Sequence, residues 1–402
     1  MVRGASLFGQ LLGLFPRIVF EGIVKARNAE RGAKGFTCWT QFVAMLFCQV
    51  GQAHSLREIC GGLRSVVGKR SHLGIQDAPK RSTLSYANEH RPWEVYQDLF
   101  YDLLVRGRGM VTARRPLRFK NKLLSLDATV IDLCLSLFPW AEFRQTKGAV
   151  KLHLLLDHEG YLPVFATVTE GKRHEITVAK QMRFPEGSIV VFDMGYCDYA
   201  FFGRLCSEKA FFVTRQKDNA LYDVIESRPV PTGGIVLSDE VIRLSSAKGL
   251  EGCPFLLRRV VVQVPDKEEP LVLLTNHMTF AASTVAAIYK ERWQIELFFK
   301  AIKQNLRVKT FVGTSRNALL TQIWTALIAI LLLKILALKS RMGWALSTLA
   351  CHLRWNLFSY KDLWQWIDDP YTPPQEARSL QPRLFDSVLG QQHILTCRGA
   401  SS

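Results

Sequence analysis

Between residues 123 and 217 the chain switches repeatedly between two textures, and that alternation narrows the fold more than any other feature. KLLSLDATVIDL is rich in Leu, Val and Ile and reads as a strand. KLHLLLD and YLPVFATVTE flank the turn signal HEG and read as an antiparallel hairpin. A helical stretch (HEITVAKQM), a short buried strand (SIVVFD, 188–193), a helix over about 198–210 and the strand FFVTRQK follow. Strand, hairpin, helix, strand, helix is the order of a mixed α/β sheet with helices packed on it. Residues 218–275 hold further strands, among them GIVLSDEVIRL, FLLRRVVVQV and LVLLTN, and read as a β-rich insertion.

The flanks are helical. TCWTQFVAMLFCQV (37–50) and SLREICGGLRSVVG (55–68) read as two helices, the second opening on a Ser cap with Glu58 three residues on. In PKRSTLSYANEHRPW, Ser82 is a candidate cap for a short helix whose first turns carry Lys80, Arg81 and Ser85. That arrangement suits a helix N-terminus meeting DNA, and equally a solvated face. WEVYQDLFYDLLVRG (93–107) is another helix and leads into the basic run RGRGMVTARRPLRFKNK, read as a linker. After the insertion come a helix over 281–305, a long one near 315–338, shorter ones to about 367, and a polar tail expected to be loose.

No membrane segment is expected. The opening MVRGASLFGQLLGLFPRIVF resembles a weak signal peptide, but Gln10 and Pro16 interrupt its apolar run, so it reads as a helix and turn of the folded protein. The run Ile323–Leu333 is too short to span a bilayer and reads as a buried helix. The nine cysteines are scattered without a C-x-x-C pair, which excludes a disulfide framework or zinc site as the organising device and points to a reducing cytoplasm. Lys and Arg number 52 against 35 Asp and Glu, and residues 1–126 hold 20 of the basic but only 8 of the acidic side chains. Such an excess favours a polyanion, since cations that neutralise phosphates release counterions.

Three acids sit where acids are costly: Asp127 after the apolar LLSL, Asp193 after SIVVF, and Glu296 within WQIELFF. A carboxylate in such surroundings must be paired, protonated or bound to a cation. Singly, each has a bland reading, as a cap or a solvent-facing side chain. On a helix, however, Tyr289, Arg292, Glu296 and Lys303 fall within a stripe about 60° wide. A phenol, a guanidinium, a carboxylate and an ammonium on one face suit a metal site beside phosphate oxygens, with a structural salt-bridge ladder as the rival account. Trp293, Ile295, Phe298 and Phe299 are expected to face the core. Three carboxylates are what two-metal phosphodiester chemistry needs, and hard oxygen ligands select Mg²⁺ or Mn²⁺.

The spacing Tyr289, Arg292, Glu296, Lys303 resembles the signature of DDE transposases of bacterial insertion sequences, in the insertion-sequence-four group. SLDATVID, VVFDMGYCDYAFF, FFVTR, LLTN and YKERWQIELFFKAIKQ are similar to that family's blocks, over about residues 10–365. The resemblance implies a ribonuclease-H-like catalytic core (120–340) with the β-rich insertion, preceded by a small all-α DNA-binding domain (1–115) and followed by C-terminal helices and tail (341–402). It implies Asp127, Asp193 and Glu296 as a triad holding two Mg²⁺ ions, and Tyr289, Arg292 and Lys303 on the phosphates of the element's end. Lys80, Arg81, Arg215 and Lys300 are further candidate DNA contacts. Asp132, on the opposite side of its strand, and Asp198, a helix cap, are less apt as ligands. The implied partners are double-stranded DNA, as terminal inverted repeats and target, and a second copy of the chain on paired ends, in the bacterial cytoplasm at the nucleoid. Relatives that cut through a hairpin hold a flipped base on aromatics that include a tryptophan of the insertion. This chain has no Trp between Trp140 and Trp293, which leaves Tyr222, Phe255 or Trp293 for that role.

Overall fold

Six helices come first: α1 (Leu7–Leu12), α2 (Arg17–Ala26), α3 (Cys38–Val50), α4 (Leu56–Ser65), α5 (Arg81–His90) and α6 (Glu94–Met110). The computed structural model describes residues 5–371, apart from residues 34, 111–116, 118, 145–146, 266–267 and 307–310. Most of the basic run after α6, and the tail from residue 372, therefore lie outside the described residues. The opening segment is a helix and turn, with Leu7, Phe8, Leu11 and Leu12 buried and Ser6 Oγ accepting from Gly9 N–H at 3.2 Å. At α4 half of the expected box forms: Ser55 Oγ accepts from Glu58 N–H at 3.2 Å, while the Glu58 carboxylate accepts from His54 N–H at 2.9 Å. Ser82, in contrast, is not a cap. Pro79 fixes the chain ahead of the helix, Lys80 is the extended residue at its start, and Ser82 already lies in the first turn.

The middle of the chain builds β1 (Leu123–Leu133), β2 (Glu142–Arg144), β3 (Lys147–Asp157), β4 (Leu162–Glu170), α7 (Glu175–Ala179), β5 (Ile189–Val191), α8 (Tyr199–Ser207) and β6 (Phe211–Arg215). Residues 222–275 add β7 (Tyr222–Ser227), β8 (Val236–Leu244), α9 (Ala247–Gly252), β9 (Leu257–Val262) and β10 (Leu271–Thr275). All strands join one sheet in the order β2-β3-β1-β5-β6-β10-β9-β8-β7, with β4 also on β3. β1 is antiparallel to β3 but parallel to β5, and β5 is parallel to β6, so the sheet is mixed. β10 runs antiparallel to β6, and through it β7–β9 extend the same sheet. β1 continues to Leu133, so Asp127 lies inside a strand and does not end one.

The chain closes with α10 (Ala282–Glu291), α11 (Trp293–Asn305), α12 (Arg316–Lys339), α13 (Leu346–Asn356) and α14 (Leu363–Asp368). The single helix expected over 281–305 is two. Arg292 N–H donates to Tyr289 O at 3.1 Å and Ile295 N–H to Arg292 O at 3.2 Å, bonds of 3₁₀ span that tighten the join. Ile295, Phe298 and Phe299 are buried as expected, but Trp293 is 56% exposed.

α12 is long and apolar enough to cross a membrane, longer than the apolar run alone suggests, yet 94% of its apolar window is buried inside the protein. A helix apolar all round belongs in a core, and α12 is packed by α3, α5 and α6 from the N-terminal segment and by α11, α13 and β4 from the rest. Contact with α6 is close: a Cβ at Gly107 would meet Ile335 Cδ1 at 2.3 Å. One apolar cluster thus runs from Phe8 and Phe42 through Trp324 to Leu154 and Ile295. The opposite face of the sheet packs on α7 and α8 through Phe192, Phe202 and Phe212.

Candidate active site

Strand register brings the two aspartates together. β1 and β5 pair in parallel as Leu123↔Ile189, Leu124↔Val190 and Ser125↔Val191, and the same offset carried two residues further sets Asp127 beside Asp193. β5 and β6 pair with Val191↔Val213, which continues to Asp193 beside the exposed Arg215. Asp193 leaves β5 as the cap of a 3₁₀ turn (Met194–Tyr196), its Oδ1 accepting from Gly195 N–H at 2.9 Å. Gly195 keeps the approach open, since a Cβ there would stand 3.0 Å from Asp193 Oδ1 and 3.5 Å from Glu175 Oε2.

Glu296 reaches the pair through Arg292. The guanidinium stands at the α10–α11 join, with Nη2 donating to Glu296 Oε1 at 2.5 Å and Nη1 3.7 Å from Asp127 Oδ2. Its Nε is buried without a hydrogen-bond partner among the described residues. The Tyr289 ring lies 5.7 Å from the same guanidinium. Burial raises the Tyr289 phenol, while Arg292 and Arg215 work to lower it. Lys300 is exposed and Lys303 half-buried on the later turns of α11, and Lys80 and Arg81 are exposed at the start of α5.

Asp127 is the strained member of the set. Its side chain is 16% exposed, and burial pushes its carboxyl up to about 7. The Ala128 N–H at 2.7 Å and Arg292 oppose that rise, whereas Asp193 and Glu175 add to it. Among the described residues no three His, Cys, Asp or Glu converge closely enough to grip an ion, because Arg292 stands between Asp127 and Glu296. The donor set nonetheless fits a hard divalent cation: all carboxylate oxygen, with one acid buried against an incompletely answered charge. Asp132 is exposed further along β1, and Asp198 caps α8 by accepting from Phe201 N–H at 2.8 Å.

Comparison with known proteins decides the family. Residues 118–332, more than half of the chain, match the transposase DDE domain, and residues 3–76 match a domain of unknown function, DUF4372. The chain belongs to the DDE transposases of insertion sequences. It is 34% identical to a Sinorhizobium fredii protein named as transposase y4zB, over 66% of this chain and 74% of that one. It is 31% identical to a Geobacillus stearothermophilus protein named as the transposase for insertion sequence element IS5377, over 63% and 66% of the two chains. A Synechocystis protein named as the transposase for element IS4SA is 25% identical over 65% and 73%. A DDE domain implies an enzyme that acts on DNA with a divalent metal.

The candidate site holds residues that sequence reasoning missed. Glu175, the first residue of α7, faces the aspartates and is held by Lys151 Nζ at 3.1 Å. Tyr196 ends the turn after Asp193 with its hydroxyl fully buried. Only the adjacency of HE to a strand end hinted at Glu175, and that reads equally as an ordinary helix start. Behind the acids, Ser125 Oγ and His158 Nε2 lie 2.7 Å apart, and His158 Nδ1 is 3.5 Å from Glu291 Oε2. This looks like a hydrolytic triad, but Ser125 and His158 are buried and burial lowers His158 to about 4, so it is a neutral strut between β1 and the end of α10. A groove of about 940 Å³ opens between residues 197–199, Gln216–Lys217 and α9; its lining mixes Lys217 and Lys248 with Asp198 and Glu251 and includes none of the three acids. Of the aromatics considered for base stacking, Trp293 is exposed next to Arg292, Phe255 is 41% exposed, and Tyr222 lies in β7 with the Arg259 guanidinium 5.4 Å from its ring centroid.

Proposed function

We propose that the transposase binds the terminal inverted repeats of its own element, nicks a strand there with water, and then uses the freed 3′-hydroxyl to attack a second phosphodiester. The observation that carries the reading is the alignment of Asp127 with Asp193 on parallel strands, with Arg292 tying Asp127 to Glu296. In this reading Asp127, Asp193 and Glu296 hold two Mg²⁺ ions. Bound cations supply activation of the attacking oxygen and stabilisation of the leaving one.

The remaining work falls to the chain itself. Arg292 keeps the acids compensated without cation, and on binding DNA it turns one face of its fork to a phosphate. Tyr289, Lys303, Arg215 and Lys300 contact phosphates of the same end, and Lys80 and Arg81 present the start of α5 to the duplex. Trp293, exposed beside Arg292, is available to stack a displaced base. The order β4-β3-β1-β5-β6, antiparallel then parallel, supports a ribonuclease-H-like core (120–340) with β7–β10 as its insertion. The basic helical segment 1–115 supports a role in end recognition. Cutting and joining two ends together calls for a dimer on paired ends.

The test uses purified full-length protein, Mg²⁺ and a labelled duplex of the element's own terminus, comparing wild type with Asp193→Ala. Nicks at the terminus and joined products, both lost in the variant, are expected. Binding without a cut would make the protein a DNA-binding regulator, and cutting without joining would make it a nuclease.

A further inference from the structure

Tyr196 is fully buried, and its hydroxyl has no hydrogen-bond partner among the described residues. Buried hydroxyls are nearly always paired, so an orphan three residues after Asp193 needs a reason. Looseness is not that reason. Tyr196 N–H donates to Asp193 O at 3.2 Å, and Thr214 Oγ1 donates to the same carbonyl at 3.2 Å. The ring sits 6.1 Å from that of Phe192 inside the apolar cluster under α8. The hydroxyl is therefore carried on a rigid turn.

Its surroundings are acidic. The turn packs on α7, and α7 packs on β1. After burial, the charges that bear on the hydroxyl are those of Asp127, Glu175 and Asp193, in that order. Each of these acids has one oxygen engaged: Glu175 Oε1 by Lys151 at 3.1 Å, Asp193 Oδ1 by Gly195 N–H at 2.9 Å, and Asp127 Oδ1 by Ala128 N–H at 2.7 Å. Of the remaining oxygens, Asp127 Oδ2 belongs to the acid whose charge bears most on the hydroxyl, and it faces the Arg292 guanidinium at 3.7 Å, beyond hydrogen-bond reach. A donor without an acceptor thus stands among carboxylate oxygens still open to a donor.

We propose that Tyr196 is a positioning residue for the acids: its hydroxyl donates to the Asp127 carboxylate once that carboxylate turns from Arg292 to a divalent cation. The inference rests on the reading of Asp127, Asp193 and Glu296 as cation ligands. Donors that orient a ligating carboxylate are worth tenfold or more in metal affinity, although they never touch the metal. In the metal-free protein the same hydroxyl is a net cost, because it is buried without a partner.

The experiment compares the full-length wild type with Tyr196→Phe in two measurements, thermal unfolding in EDTA and Mn²⁺ binding by calorimetry. The variant is expected to melt no lower than wild type in EDTA and to bind Mn²⁺ about tenfold more weakly. An unchanged Mn²⁺ affinity overturns the proposal. So does a lower melting temperature in EDTA, which would show that the hydroxyl already has a partner without metal. If the wild type binds no Mn²⁺, or Asp193→Ala binds it as well as wild type does, the reading of the three acids falls first and separately.

Discussion

Replacing Asp127 by Asn should make the metal-free transposase more stable, by an amount that grows with pH. Burial and the neighbouring acids hold the Asp127 carboxyl at about 7 against an ordinary value of 3.8. The folded state therefore binds a proton that the unfolded state has already released over the window between those values. Stability is highest below the ordinary carboxyl range and is lost as pH rises through about 7. At about 1.4 kcal/mol per unit, the full penalty at pH 8 is at most about 4 kcal/mol. Asn removes the charge and keeps an oxygen for the Ala128 N–H; the 3.7 Å attraction to Arg292 that it gives up is already contained in the value of about 7. The net gain at pH 8 is therefore up to about 4 kcal/mol, and it exceeds the gain at pH 5 by about 3 kcal/mol. Urea unfolding in EDTA at the two pH values measures both. A variant less stable than wild type at pH 8, or a gain that does not grow with pH, would refute the reasoning.

Other perturbations follow from the same geometry. Arg292→Gln leaves Asp127 and Glu296 uncompensated, so in EDTA it should cost about 1–3 kcal/mol, and saturating Mg²⁺ should narrow the gap in melting temperature; an equal gap with and without Mg²⁺ would contradict this. Gly203→Ala drives a Cβ to within 2.1 Å of Gly252 O, where α8 meets α9, and should destabilise by about 2 kcal/mol or more in urea unfolding. If α5 meets phosphates, the double variant Lys80→Ala, Arg81→Ala should flatten the salt dependence of end-DNA binding by about two units of log–log slope, leaving melting temperature unchanged.

Much of the sheet was legible because its strands are short apolar runs closed by turn residues or an acid. Asp127 and Asp193 stood out since a carboxylate after LLSL or IVVF conflicts with its neighbours. β7 escaped separate notice: at the sheet edge it is mostly exposed, so no alternation of burial marks it. The break at Arg292 was hidden because every residue around it suits a helix, and the tightening comes from bonds between backbone groups. Trp293 looked like core by residue type, but the break turns it outward. α12 extends N-terminal of its apolar run with Thr321 and Gln322 buried too, Gln322 Oε1 accepting from Val312 N–H at 2.9 Å and Thr321 O accepting from Thr325 Oγ1 at 2.6 Å. Tyr196 gave no signal and Glu175 only one that an ordinary helix start shares, since what marks them is position around the two aspartates, which only the fold supplies.

The central claim is that three carboxylates act as one unit. The most direct measurement is the rate of nicking at the element's terminus in Mg²⁺ for Asp127→Asn, Asp193→Asn and Glu296→Gln, each alone and all together. Groups that act as a unit are not additive, so each single variant should fall to the level of the triple. A Glu296→Gln protein that nicks end DNA at the wild-type rate would contradict the account.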